Sequence, residues 1–285
     1  MMEHKEGYFN GVRNTRMYWQ AWRSASPAKA VLIIVHGLAE HGGRYMNLVN
    51  RFVPAGYHIY ALDHIGHGRS DGKRCFVKHF DDFTDNLHTF VHFVKEEAFH
   101  IPIYMVGHSM GGLVTAAYLV KQQVRLAGAV LSGPLAKIPQ HISKSTIISG
   151  RIISQLLPGF RLIPLDGDGV CRDPKVVDAY ENDPLVFRGK ITARLGSELL
   201  LALLDLKNEM SKIKLPLLIL QGGEDRLVDA DGAQLLFDQV QSEDKTLKIY
   251  PELYHEVFNE PEKEMVLTDM ENWLEKQLAE QQKSA

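Results

Sequence analysis

Cysteine is almost absent from this sequence: Cys75 and Cys171 are the only two in 285 residues. They lie far apart and form neither a CxxC pair nor a ligand cluster, which argues against a disulfide framework or a zinc site and fits a reducing compartment. Long apolar runs are also missing. None approaches the roughly 18 residues that a spanning helix needs, and the opening MMEHKEGYFNGVR lacks the apolar stretch that follows the charges of a signal peptide. The expectation is a cytoplasmic protein, at most peripheral to a membrane. Basic excess is lacking too. A formal net charge of -3 and a pI near 6.5 give nothing to attract nucleic acid. Oligomeric state is left open, and no internal repeat or low-complexity tract is visible.

What is present is enough apolar residues, 45%, to bury one large core, so a single domain over 1–285 with an insertion is expected. Residues 8–22 alternate turn signals with Met17, Tyr18, Trp19 and Trp22, as short strands at a sheet edge would. Apolar runs of buried-strand type follow at 30–35, 57–62, 103–106, 127–131, 216–221 and 247–250. Helical spacing predicts helices over 44–53, 80–99 and 231–240, and a last one from about Pro261. This alternation predicts an α/β fold, a mostly parallel central sheet of about eight strands flanked by helices. Between about 135 and 206 the rhythm breaks. Ile142–Leu157 is crowded with isoleucine and leucine and punctuated by Lys144 and Arg151, and no buried-strand run occurs in the stretch. It reads as a helical cap over the carboxyl ends of the strands.

The chain is organised around IYMVGHSMGGLVTAAYL, Ile103 to Leu119. An apolar strand meets Gly107-His108-Ser109-Met110-Gly111 and then a mostly apolar helix, which is the pattern of a nucleophile elbow. Glycine at 107 and 111 leaves room for strand and helix to pack closely, and Ser109 is forced out on the turn as the candidate nucleophile. A serine hydroxyl needs a histidine to take its proton and a carboxylate to orient that histidine. Of thirteen histidines, His255 follows the last strand and reaches the same sheet edge as Ser109. For the acid, Asp225 follows the penultimate strand, with Glu224, Asp229 and Asp231 as rivals that position does not separate. The loop His36-Gly37-Leu38-Ala39-Glu40-His41-Gly42-Gly43 follows a central strand, where a backbone N–H can be left free for an anion. The paired histidines of Asp63-His64-Ile65-Gly66-His67-Gly68-Arg69-Ser70 lack a third ligand on a matching element, so a structural turn beside the elbow is expected and not a metal site.

The order Ser109, Asp225, His255 is that of α/β-hydrolases. HGLAEHGGRY, DHIGHGRSDG, GHSMGG, QGGEDRLVD and KIYPELYHE together resemble the monoacylglycerol lipases and related bacterial lysophospholipase-like serine hydrolases, over nearly the whole chain. The resemblance implies an α/β-hydrolase fold with a cap, oxyanion amides at Leu38 and Met110, and Asp225 as the acid. It further implies that His108, Glu40 and Arg44, with Tyr180 from the insertion, meet a glycerol-like head group. An ordinary Glu40–Arg44 ion pair at a helix start is the competing expectation. A mammalian-type member would carry a second histidine soon after the catalytic one, where this chain has Phe258. The activity implied is hydrolysis of long-chain monoacylglycerols to fatty acid and glycerol through an acyl-enzyme, with no cofactor or metal. A lysophospholipase or broad esterase would use the same triad. A non-catalytic lipid-binding protein on this fold is disfavoured, because each catalytic position holds a competent residue. The isoleucine-rich segment suggests transient contact of the cap with a membrane surface, the alternative being that it packs the cap onto the core.

Overall fold

A hairpin opens the chain, β1 (Met2–Asn10) lying antiparallel to β2 (Arg16–Ser24) with Met2 opposite Ser24. The computed structural model describes residues 2–138, 142–164 and 167–284. Then come β3 (Ala30–Val35), α1 (Met46–Phe52), β4 (Tyr57–Leu62), α2 (Asp81–Glu97), β5 (Ile103–His108), α3 (Met110–Gln122) and β6 (Gly128–Ser132). The segment that breaks the rhythm holds α4 (Lys144–Leu156), β7 (Arg161–Pro164), α5 (Pro174–Asn182), β8 (Lys190–Thr192) and α6 (Ala193–Glu209). The chain closes with β9 (Leu217–Gly222), α7 (Asp231–Gln239), β10 (Lys245–Tyr250) and α8 (Lys263–Ser284).

Eight strands form one sheet in the order β1-β2-β4-β3-β5-β6-β9-β10, parallel except for β1 and β2. This is the α/β-hydrolase arrangement expected from the sequence. Its centre follows from AVLIIV in β3, where every residue is buried. Because side chains alternate across a strand, Val31, Ile33 and Val35 feed a core shared with α2, α3 and α6, while Leu32 and Ile34 feed another shared with α1 and α8. A parallel strand covered on both faces must be apolar throughout.

The stretch 135–206 is not wholly helical. β7 and β8 pair as a small antiparallel ribbon, and their brevity and partly exposed residues leave no apolar run to betray them. Residues 139–141 and 165–166 of the predicted insertion lie outside the described residues. Contacts from this segment reach the loop after β3. The Phe187 amide donates to the Ala39 carbonyl at 2.8 Å, and His41 Nε2 lies 2.9 Å from Asp183 Oδ2.

Candidate active site

Ser109 sits between β5 and α3 with φ 55° and ψ -119°, a left-handed conformation that costs a non-glycine residue free energy and holds its side chain clear of both elements. The flanking glycines make this possible. A Cβ on Gly111 would stand 1.9 Å from the Val35 carbonyl oxygen, and one on Gly107 would meet Thr115 Oγ1 at 2.4 Å. Strand β3 and helix α3 therefore approach at a distance no side chain permits.

His255 follows β10 and points Nδ1 at Asp225 Oδ2, 2.7 Å away. The Asp225 side chain is fully buried and held by three further donors: Gln221 Nε2 at 3.0 Å on Oδ2, and the Leu227 and Val228 amides at 2.9 and 3.0 Å on Oδ1. Burial alone would raise its pKa, but the neighbouring His255 charge and these hydrogen bonds hold it below the ordinary value. For His255 burial opposes protonation, and the Asp225 carboxylate reverses that, leaving the imidazole more basic than usual. The rival acids are elsewhere. Asp229 and Asp231 both pair with Lys137 at 2.9 Å, and Glu224 is exposed.

The oxyanion candidates are amides. Met110 is the first residue of α3, where an N–H has no intrahelical partner. Among the described residues neither it nor the Leu38 amide donates to a protein acceptor. The neighbouring Gly37 amide is taken, donating to Glu40 Oε1 at 2.6 Å.

Glu40 and Arg44 belong to a larger buried network. Arg44 reaches Glu40 Oε2 at 2.7 Å and grips both oxygens of Glu256 at 2.6 and 2.9 Å, while Tyr45 Oη donates to Glu40 Oε1 at 2.7 Å. The guanidinium also lies 4.7 Å over the Tyr180 ring. Both Glu40 oxygens are thus already engaged by protein donors. Burial and then the Arg44 charge act in opposite senses on Glu256, and Arg44 wins, keeping its pKa low. Glu256 was not singled out from the sequence, although it directly follows His255; its partner is set by folding and not by spacing. His108 packs 4.6 Å from His255 between ring centres, and its Nδ1 lies 3.0 Å from the Ser132 carbonyl. That bond fixes the proton on Nδ1 and leaves Nε2 as an acceptor. Burial, then the His255 charge, lowers its pKa.

One cavity of about 290 Å³ gathers these groups. Leu38, Glu40, Arg44, His108, Ser109, Met110, Tyr180 and His255 all line it, with Asp225 behind His255. Glu256 extends its polar end, and Leu135, Pro164, Val170, Leu227 and Val228 supply apolar wall. A hydroxyl, an oriented imidazole and two free amides around one space can add a nucleophile to a carbonyl and hold the resulting oxyanion.

The histidine turn braces the same region. Asp63 accepts from the Gly42 and Arg69 amides at 2.9 and 2.8 Å, and the His64 amide donates to His36 Nε2 at 2.9 Å. His36 in turn contacts the Gly37 carbonyl through Nδ1 at 2.7 Å. Among the described residues no group of three or more His, Cys, Asp or Glu could hold a metal ion.

The family profile described as serine aminopeptidase, S33 (Hydrolase_4) matches residues 26–262. A monoacylglycerol lipase of Mycolicibacterium smegmatis is 39% identical over 94% of this chain and 96% of its own length. The monoglyceride lipase of Mus musculus is 33% identical, over 92% of this chain and 88% of its own. Among solved structures, a soluble variant of monoglyceride lipase from Saccharomyces cerevisiae in complex with a substrate analogue superposes with a TM-score of 0.85. It is 25% identical and covers 95% of this chain and 94% of the yeast one.

Proposed function

The chain belongs to the serine aminopeptidase S33 (Hydrolase_4) family, and from that premise we propose that it is a serine hydrolase that cleaves monoacylglycerols to fatty acid and glycerol. The observation that carries the reading is the cavity itself. A serine on a strained turn and a histidine bound to a buried aspartate face a space with one polar end and an apolar wall.

In this reading His255 Nε2 takes the Ser109 proton as Oγ adds to the ester carbonyl, and Asp225 stabilises the imidazolium. The Leu38 and Met110 amides hold the tetrahedral oxyanion. His255 then gives its proton to the departing glycerol oxygen, leaving the acyl group on Ser109. Water, deprotonated by the same histidine, adds to the acyl carbonyl, and His255 returns that proton to Ser109 Oγ as the fatty acid leaves. At the polar end, neutral His108 accepts a glycerol hydroxyl at Nε2, while Arg44 and Tyr180 shape the space around it. Glu40 acts mainly by fixing Arg44 and the Gly37 amide, since both its oxygens are engaged.

The segment 135–206 serves as a cap, with Pro164, Val170 and Tyr180 over the cavity, and its outer face meets a lipid surface. Ile148 is 62% exposed, Ile152 53% and Leu156 74%, and Leu157, Phe160 and Leu162 are exposed beyond them. Between Leu135 and Leu165 the sequence holds no Asp or Glu but four Lys and Arg. An apolar helix face in an acid-free, cationic stretch suits a membrane interface. No helix among the described residues is long and apolar enough to cross a membrane.

A panel of monoacylglycerol, diacylglycerol, lysophosphatidylcholine and short nitrophenyl esters tests the assignment. The highest kcat/KM is expected on monoacylglycerol, and a higher value on lysophosphatidylcholine would move the enzyme to the lysophospholipases.

A further inference from the structure

A second cavity, about 630 Å³, opens at the other end of the sheet, between the last turns of α2, the loop into β5, the turn that follows α3 and Gln281 of α8. It touches Ile103, the first residue of β5, whereas Ser109 follows the last. Six strand residues at about 3.3 Å each put the two sites roughly 20 Å apart.

Its lining carries two cations, Lys95 and Arg125, with the His92 and His100 rings beside them, and Glu96 is its one carboxylate. Among the described residues, neither Lys95 nor Arg125 is ion-paired with a carboxylate; instead the Arg125 guanidinium donates to His92 Nε2 at 2.8 Å. The two cations also crowd one another: burial first, then the Arg125 charge, lowers the Lys95 pKa. Burial, then the His88 and Arg125 charges, lowers the pKa of His92, which accepts from Arg125 as a neutral ring. Lys95 and Arg125 each stand near a helix end, where one cation offsets the terminal carbonyls. That accounts for single charges but not for their convergence on an open cavity with an apolar rim. Phe99 is 76% exposed and Val124 96%, with Ile101 and Leu126 further in.

We propose that this cavity binds an amphiphilic anion, its carboxylate or phosphate head on Lys95 and Arg125 and its hydrocarbon tail against Phe99, Val124 and Leu126. An anion would relieve the repulsion among the cations, and the tail would cover apolar surface now in water. The site does not depend on the role given to Ser109.

Acetylation of Lys95 by an amine-reactive ester, read by mass spectrometry on the full chain, tests this with a signal that binding near Ser109 does not produce. Lys121, exposed and paired with Asp81, is the internal control. Dodecyl phosphate and laurate, each below its micellar concentration, should protect Lys95 and not Lys121, while inorganic phosphate at the same concentration should not protect. Which of the two amphiphiles protects at lower concentration identifies the preferred head group. Arg125→Gln should weaken protection by roughly tenfold, the value of a charge-assisted hydrogen bond. Phe99→Ser should weaken it for the amphiphiles. Unchanged turnover of a nitrophenyl ester would establish that both variants are folded. Equal protection by inorganic phosphate, or protection that survives Arg125→Gln in a folded variant, overturns the proposal.

Discussion

Arg44 and Glu256 stand 212 positions apart and meet as a bidentate ion pair at 2.6 and 2.9 Å. Through Arg44 and Glu40 the residue next to His255 is connected to the Gly37 amide, so one buried network spans the base and the oxyanion loop.

That network has a pH signature. His255 must be neutral to accept a proton, and its pKa is raised, despite burial, by Asp225 first and then by the Glu256 and Glu40 charges. The acidic limb of kcat/KM should therefore lie above the ordinary histidine value of about 6.5. Glu256→Gln removes one negative charge and should move the limb to lower pH, while Arg44 keeps Glu40 as a partner. An unmoved limb in a folded variant would separate Glu256 from the titration of His255.

Ser109→Ala should abolish ester hydrolysis and fluorophosphonate labelling, a loss on the order of 10⁴ to 10⁶ in rate, without unfolding the chain. Asp225→Asn should cost roughly 10⁴ through the wrong imidazole tautomer. Glu224→Gln and Asp229→Asn should be mild, because those carboxylates are exposed or paired with Lys137. Steady-state rates of the four proteins give the ranking, and a larger loss for Asp229→Asn than for Asp225→Asn would reassign the acid.

Acid should weaken the fold through its buried histidines. Burial, then the neighbouring histidine charge, holds His64 down to about 3, and burial holds His67 down to about 4. The unfolded chain takes up these protons near pH 6.5 and the folded chain does not, so stability falls as pH drops below that value. Each such histidine contributes up to about 1.4 kcal/mol per pH unit until its folded pKa is reached. Among the described residues neither ring nitrogen of His64 has a hydrogen-bond partner. His64→Leu should therefore cost little at pH 7.5 and flatten the fall in Tm between pH 6.5 and 4.5; a fall parallel to the parent would rule out His64 as its source.

The outer face of α4 makes a separable prediction. Ile148→Glu or Ile152→Glu should weaken vesicle binding by roughly 2 to 4 kcal/mol and slow turnover of vesicle-borne monoacylglycerol, with hydrolysis of a soluble short-chain ester retained. Co-sedimentation and the two rates should be compared for each variant. Equal loss of both activities would place these isoleucines in packing instead.

The parallel strands were legible because burial on both faces demands unbroken apolar runs such as AVLIIV and PLLILQ, and the elbow because only glycine satisfies the contacts at 107 and 111. The first strand escaped in part, since most of Met2–Asn10 is exposed and polar. The β7–β8 ribbon escaped because its strands are only four and three residues long. Within the site, chain position brought Ser109 and His255 to one sheet edge, but the choice of Asp225 over Glu224 rested on resemblance. Nothing local marks Gln221 as a donor to Asp225 or Glu256 as the partner of Arg44, because both depend on where distant segments land.

The sheet order has a consequence for synthesis. A ribosome makes Ser109 and its strained turn early, yet β9, which carries Asp225 to its place, and β10, which precedes His255, are the last two strands to emerge. β9 pairs with β6 across residues 133–216, and β10 pairs in turn with β9. A nascent chain therefore displays a serine without its base while residues 110–254 are being made, and proteolytic loss of the segment after Tyr250 would remove His255 together with the core face of α8.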